Sequence, residues 1–437
     1  MDGFGKPSNQ NDVNKYGNNL SQTILTHRFE NGLSLVVEPM EWLESAAFCV
    51  LVPNGCQRDP ADRLGLSNFS CEMLQRGAGS RDSRQFVEAL EKLGVERGSS
   101  VSNSHTSIAG AMPAKNIDDA LGIFADLLRH PHLPADQLEE GRMVCFQEVR
   151  SIEDDLQQKT MMELRRRHYP DPFGRSCQGT VESIKSISID DIRQFFESTY
   201  GPTETILSVA GKVDWPRLRD RVGELFGDWQ PREISELTQT PAEGNYSHIA
   251  HESQQTQIAL AFPSVPYSHD DYFQARGAVG VLSDGMSSRL FTEVREKRGL
   301  CYSVFATMHS LQDRGSVVCY AGTSTDRSQE TLDVLIGELL RLPEGIQEDE
   351  LTRLKAQVKS GLIMQQESSR SRAAAIALDW YHLNRVRTLD EISAIINGLS
   401  VDSITAYLAD YPPRDMCIVT LGEKQLEVPG GVLPASA

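Results

Sequence analysis

The sequence predicts an α+β protein of two homologous halves, each an α/β sandwich with helices packed on a mostly antiparallel sheet. Three observations carry this expectation. The stretches "DQLEEGRMVCFQEVRSIEDDLQQKT" (136–160) and "DELTRLKAQVKSGLIMQQESSRSRA" (349–373) are both long, amphipathic and acidic at the start, and lie 213 residues apart. The stretches "SIDDIRQFFESTYGPTETILSVAGKV" (188–213) and "SVDSITAYLADYPPRDMCIVTLGEK" (400–424) each read as a capped helix, a turn and an apolar strand, 212 residues apart. Two matched segments in the same order at nearly one offset indicate a duplication. Finally, helices are interleaved with strands joined in sequence or as hairpins, rather than in regular βαβ alternation.

Taken in order, the first half opens with strands in "THRFENGLSLVVEPM" and "SAAFCVLVPNGCQ", and the second in "SHIAHESQQTQIALAFPSV". Apolar spacing predicts helices over 83–93, 115–129, 270–283 and 328–341. Further strands fall on "TSIAGAMP" and "GSVVCYAGTS". Between the halves, "WQPREISELTQTPAEGNYSH" (229–248) is polar, carries two prolines and reads as a linker. The expected domains are therefore 21–228 and 249–425, with mobile ends at 1–20 and 426–437.

At 437 residues the chain is too long for one ordinary core, which agrees with the two halves. Its net charge of −18 argues against nucleic acid, because neutralising phosphates needs clustered Lys and Arg. The same charge suits either simple solubility or an acidic cavity for basic peptides. No apolar run approaches the roughly 18–20 residues of a membrane span, and the N-terminus lacks the basic start and apolar stretch of a secretory signal. Eight scattered cysteines without a CxxC pair suggest reduced thiols, most of them small core residues, and a cytoplasmic location.

The stretch "GLSNFSCEMLQRG" (65–77) is a helix with an unusual face. Phe69, Met73 and Leu74 recur at helical spacing, Gly77 ends the run, and Asn68, Cys71 and Glu72 share one side because residues i, i+3 and i+4 are neighbours.

This helix, the polar segment "GVERGSSVSNSHTSIAGAMP", the later "FQEVRSIEDD" and "GMSSRLFTEVREKRGLCYSV" in the second half together resemble the pitrilysin or insulinase family of zinc metallopeptidases. The resemblance spans nearly the whole chain and is greatest to short members similar to processing-peptidase subunits. It implies a metallopeptidase-like fold of pitrilysin/LuxS type, and two chains closing a clam-shaped chamber. Active relatives carry His-x-x-Glu-His on the first-half helix: the two His hold zinc and the Glu between them takes a proton from metal-bound water. Laid on this chain, that motif falls on Asn68, Phe69, Ser70, Cys71 and Glu72, so both histidines and the base are replaced. The third ligand position is Glu148, 76 residues beyond Glu72, which also reads as an ordinary helix-surface carboxylate.

The resemblance also implies what is retained. The Arg and Tyr by which active relatives reach a bound peptide correspond to Arg295 and Tyr302, seven apart. Their alternative reading is an Arg solvated beside Glu293 and Glu296, with a Tyr packed in a strand. The segment 98–112, containing Ser102, Asn103 and Ser104, corresponds to an edge strand on which the peptide pairs as an added strand. Equally, it reads as an ordinary exposed edge.

The expected function is a non-catalytic, zinc-site-deficient subunit of a dimeric peptidase. It would lend chamber and substrate-binding residues to a zinc-bearing homologous partner, would be inactive alone and would need no cofactor of its own. A homodimeric scaffold that cleaves nothing is one alternative. A peptidase with a rearranged metal site at Cys71, Glu72 and Glu148 is the other.

Overall fold

Strands rich in Val, Leu, Ile and Ala over their whole length, such as "SLVVEP" and "SAAFCVLV", require cover on both faces of their sheet. In the computed structural model of the chain, which describes residues 22–434, both faces are covered. The expected mobile segment 1–20 lies outside the described residues.

The first half runs β1 (Leu25–Arg28), β2 (Ser34–Pro39), β3 (Ser45–Val52), α1 (Leu66–Leu74), a short ribbon of β4 (Gly77–Ala78) and β5 (Arg81–Asp82), α2 (Ser83–Lys92), β6 (Glu96–Val101) and β7 (Thr106–Pro113). It continues through α3 (Ile117–Arg129), α4 (Leu138–Asp154), α5 (Leu156–His168), α6 (Val181–Ser186), α7 (Ile189–Thr199), β8 (Ile206–Gly211) and α8 (Trp215–Phe226). The second half comprises β9 (Tyr246–Ala250), β10 (Gln255–Ser264), α9 (Tyr272–Ser283), a π-helical turn at Phe291–Glu296, β11 (Cys301–Ser310), β12 (Gly315–Ser324) and α10 (Ser328–Arg341). It ends with α11 (Glu348–Gln365), α12 (Ser369–Leu383), α13 (Leu389–Gly398), α14 (Val401–Asp410) and β13 (Cys417–Gly422).

The two sheets carry the duplication. The first is ordered β1-β2-β8-β3-β7-β6 and the second β9-β13-β10-β12-β11 when read from its parallel edge. Without β1 the orders superpose, including the one parallel pairing, β2 with β8 and β13 with β9. The repeated segments recognised in sequence are α7–β8 and α14–β13, whose helices both open on a serine capping box, at Ser188 and Ser400.

The long helices expected over 136–160 and 349–373 are each broken in two. The first breaks at Asp155, an extended residue whose carboxylate accepts from the Gln158 amide and so caps α5. The second breaks at Ser368, which caps α12 in the same way. The break lets each half cover the other. Leu164 of α5 packs with Ala259, Ala261, Val318, Cys417 and Val419 of the second sheet. Conversely, Ala373, Ile376 and Ala377 of α12 pack with Val36, Ala47, Cys49, Ile206 and Ala210 of the first. A buried ion pair joins Arg372 of α12 to Glu38 of β2 at 2.8 Å. The opposite face of the first sheet is closed by α1, α3, α7 and α8 through Phe69, Met73, Phe124, Phe195 and Phe226.

Two boundary expectations change. The C-terminal stretch is packed as far as it is described: Leu426 and Val432 are buried in the second-half core, and Met416 N–H donates to Val432 O. Their apolar side chains supply the burial that its Pro and Gly content concealed. The linker is also anchored, with Trp229 buried, Thr240 bridged to Asp171, and β9 beginning at Tyr246.

Among the described residues, no single helix is long and apolar enough to cross a membrane.

Candidate functional site

The start of α1 is held by a side chain lying before it. Asp59 is buried, and its carboxylate accepts from the backbone N–H groups of Gly65 and Ser67 at 2.8 Å each. That clamp replaces an ordinary N-cap, because Gly65 itself is left-handed (φ 87°) and has no side chain to offer. Burial pushes the Asp59 carboxyl up to about 7, against the pull of those two N–H groups.

Helix α4 then crosses close to α1. A side chain at Gly141 would come within 2.7 Å of Met73 Sδ and 3.1 Å of the Phe69 ring, so glycine permits the approach. Two turns further along α4, Glu148 reaches the open face of α1, where the Asn68 amide donates to Glu148 Oε2 at 2.7 Å. Glu72 turns instead to Arg76, at 2.8 Å. Cys71 is buried between α1 and β6, and burial pushes its thiol up to about 12, despite a hydrogen bond with Ser99. The structure thus brings Asn68, Cys71, Glu72 and Glu148 into one neighbourhood.

This donor set does not fit zinc. The amide of Asn68 turns a donor toward the remaining carboxylate, Glu72 is paired with Arg76, and the Cys71 thiol is buried. Among the described residues, no group of three His, Cys, Asp or Glu side chains could hold a metal ion.

Arg295 and Tyr302 are also brought together. The Arg295 guanidinium lies 4.6 Å from the centre of the Tyr302 ring and 4.8 Å from that of Phe291. The π-helical turn Phe291–Glu296, followed by Gly299 in the left-handed region (φ 59°), returns the chain into β11 so that position 302 falls beside 295. The expected neighbour Glu293 is engaged by Lys297 at 2.6 Å and Arg298 at 2.7 Å. Among the described residues no carboxylate pairs with Arg295, and Tyr302 is 84% exposed. Arg295 therefore presents its five donors on an aromatic platform at the surface.

The polar segment beside α1 divides into two parts. Strand β6 is the true edge of the first sheet, and Gln75, the residue that ends α1, donates to Ser99 of it at 2.9 Å. Ser102, Asn103 and Ser104 lie beyond that edge, in the turn to β7, and their carbonyls accept from the backbone N–H groups of Cys56, Gln57 and Gly55. Their backbone is thus committed within the chain, and the stretch open to strand addition is 96–101. Ser102 and Asn103 instead line a cleft of about 530 Å³ between the halves, together with Met161 and Arg165 of α5 and Phe305 and His309 of β11. Sequence reasoning missed this cleft, since it exists only because α5 leaves its own half.

Family models match two successive parts of the chain: insulinase (peptidase family M16) over residues 37–180, and the peptidase M16 inactive domain over 186–358. An uncharacterized zinc protease of Bacillus subtilis is 25% identical over 418 residues, covering 94% of this chain and 100% of that protein. One from Rickettsia felis is 25% identical over 379 residues, covering 86% and 92%. Among solved structures, a peptidase M16 inactive domain from Pseudomonas fluorescens superposes with a TM-score of 0.84 at 19% identity, covering 93% of this chain and 99% of that one. A protease from Helicobacter pylori gives 0.83 at 19%, covering 92% and 99%. A chain of complex III2 from Candida albicans gives 0.77 at 16%, covering 92% and 96%. With the repeated sheet order, the matched halves and the position of α1, the chain belongs to the insulinase family of peptidases, M16, and has the M16 fold.

Proposed function

We propose that this protein is the non-catalytic subunit of a dimeric M16 peptidase, acting beside a homologous chain that carries the zinc motif. One contrast carries the reading. The motif positions Asn68, Cys71 and Glu72 are occupied by an amide, a buried thiol and an arginine-bound carboxylate, while among the described residues no acid engages Arg295 or Tyr302. A chain with no catalytic task left would gain nothing from an unpaired surface Arg stacked on an exposed Tyr. Donors of this kind, aimed at the oxygen of a peptide carbonyl under attack, are worth roughly 3–4 kcal/mol in the transition state. The substrate is an extended peptide, and the free edge of β6 offers it main-chain hydrogen bonds.

The test is reconstitution. This chain and a zinc-motif homologue from the same genome are purified separately, then mixed. The proposal expects peptide cleavage by the mixture at least ten times that of either chain alone. Full activity of the homologue by itself, unchanged on mixing, contradicts it.

A scaffold dimer that encloses a cavity and cleaves nothing is the second reading. The likeness to a complex III2 chain favours it, at the level of fold alone.

A further inference from the structure

Cys56 and Cys177 are 121 residues apart in sequence, and the reading of scattered, unpaired cysteines gave no reason to join them. In the fold their sulfurs are 2.6 Å apart. That is within about 0.6 Å of the ~2.05 Å of a disulfide bond. Both are thiols in this structure.

The surroundings hold the pair in place from both sides. Cys56 N–H donates to Ser102 O at 3.0 Å. On the other strand of the seam, Asn103 donates to Phe173 O at 2.8 Å, and Arg175 donates to the Asp59 carbonyl while its guanidinium pairs with Asp171 at 2.6 Å. The backbones meet without side chains between them: a Cβ at Gly179 would fall 2.1 Å from Leu64 O, and one at Gly55 would fall 2.3 Å from Asn103 O. Exposure differs within the pair. Cys56 is wholly buried, whereas Cys177 is partly exposed and lines the cleft between the halves.

We propose that Cys56 and Cys177 form a reversible disulfide that staples the loop 171–179 to the segment leading into α1, in the wall of the cleft. The oxidant is a low-molecular-weight disulfide such as oxidised glutathione. Cys177, reached from the cleft, loses its proton and attacks one sulfur of it, releasing one thiol and leaving a mixed disulfide. Cys56 then attacks Cys177 Sγ, its proton passing to the departing thiolate. Two protein thiols are oxidised, one small disulfide is reduced to two thiols, and the Cys56–Cys177 bond is formed. The hydrogen bond with Cys177, and then burial, push the Cys56 thiol up and keep it protonated, so Cys177, which is partly exposed, is the thiol that meets the oxidant.

The staple would fix Asp59 and with it the start of α1, because Arg175 bonds the Asp59 carbonyl from the stapled loop.

The test treats the purified full chain with oxidised glutathione, unfolds it in excess iodoacetamide and weighs it. Of eight cysteines, six should be alkylated, and all eight after prior reduction. Tryptic digestion should yield a linked peptide joining residues 29–58 to 176–185, with fragmentation placing the bond at Cys56 rather than Cys49. The Cys177→Ser variant should leave no cysteine pair protected. Eight alkylated cysteines in the oxidised wild type, a glutathione adduct that persists on Cys177, or protection that survives in Cys177→Ser would each overturn the proposal.

Discussion

Asn68 of α1 and Glu148 of α4, two positions that the family resemblance equates with metal ligands, are joined by a 2.7 Å hydrogen bond. Helix α4 packs on α1 with Gly141 at the close approach, so the two helices hold positions 68, 71, 72 and 148 in one neighbourhood. The triple variant Asn68→His, Cys71→Glu, Glu72→His should therefore bind close to one zinc per chain after dialysis, whereas the wild type should retain less than about a tenth of that. Elemental analysis checks both. Cleavage need not return with the metal, because it also depends on the groups that orient the ligands.

The ion pair between Glu38 and Arg372 tests the exchange of helices between the halves. Both side chains are only 3% exposed. Arg372→Ala strands a buried carboxylate and should cost about 3–5 kcal/mol. Replacing both, as Glu38→Leu with Arg372→Met, should recover much of it. Urea unfolding of the three proteins measures the difference, and a loss below 1 kcal/mol in Arg372→Ala would mean that α12 is not held as described.

Acid should loosen the contact between the halves. Burial depresses His105, His168, His309 and His382 to about 4 each, and three of these histidines make contacts that join the halves: Tyr381 meets His105, Tyr169 bonds His309, and His168 bonds Ser316. An unfolded histidine titrates near 6.5. Between about 6.5 and 4 the unfolded chain binds more protons at these sites, so their stabilisation is present above 6.5 and is lost as pH falls toward 4. Asp59, raised to about 7, acts in the opposite direction, but it is one group against four. The melting temperature should fall between pH 7 and pH 5; a constant or rising value contradicts the buried, neutral histidines.

The duplication was legible because it rests on local signals. Serine caps, apolar strands and a constant offset are written in the sequence, and "GSVVCYAGTS" is β12 residue for residue. What was not legible depends on where elements go after they form. Helix-forming residues run through Asp155 without a Pro or Gly, so its break, set by the second sheet that α5 must cover, could not be read. Likewise, Ser102 to Ser104 read as an edge because small polar residues suit one, but a neighbouring turn at residues 55–57 takes their carbonyls. The replaced motif at Asn68, Cys71 and Glu72 needed only helical spacing to be placed on one face, whereas the Arg295–Tyr302 stack depends on a π-helical turn that seven-residue spacing alone does not specify.

Tyr302→Phe removes one hydroxyl donor and keeps the ring under Arg295. It should slow cleavage by the reconstituted complex less than Arg295→Ala, which loses both charge and fork. Circular dichroism and thermal unfolding of both variants should match the wild type, since Tyr302 is exposed and, among the described residues, Arg295 has no acidic partner to abandon. A lowered melting temperature in either would assign the pair a structural role instead.

We propose that this chain serves catalysis in a partner's active site. The most direct measurement is turnover of a mixed peptide library by the partner complex, with wild type and Arg295→Ala compared at equal complex concentration. Arg295→Ala should lower turnover by a factor on the order of 10²–10³, with zinc content and complex formation unchanged. Equal turnover by the two complexes would contradict it.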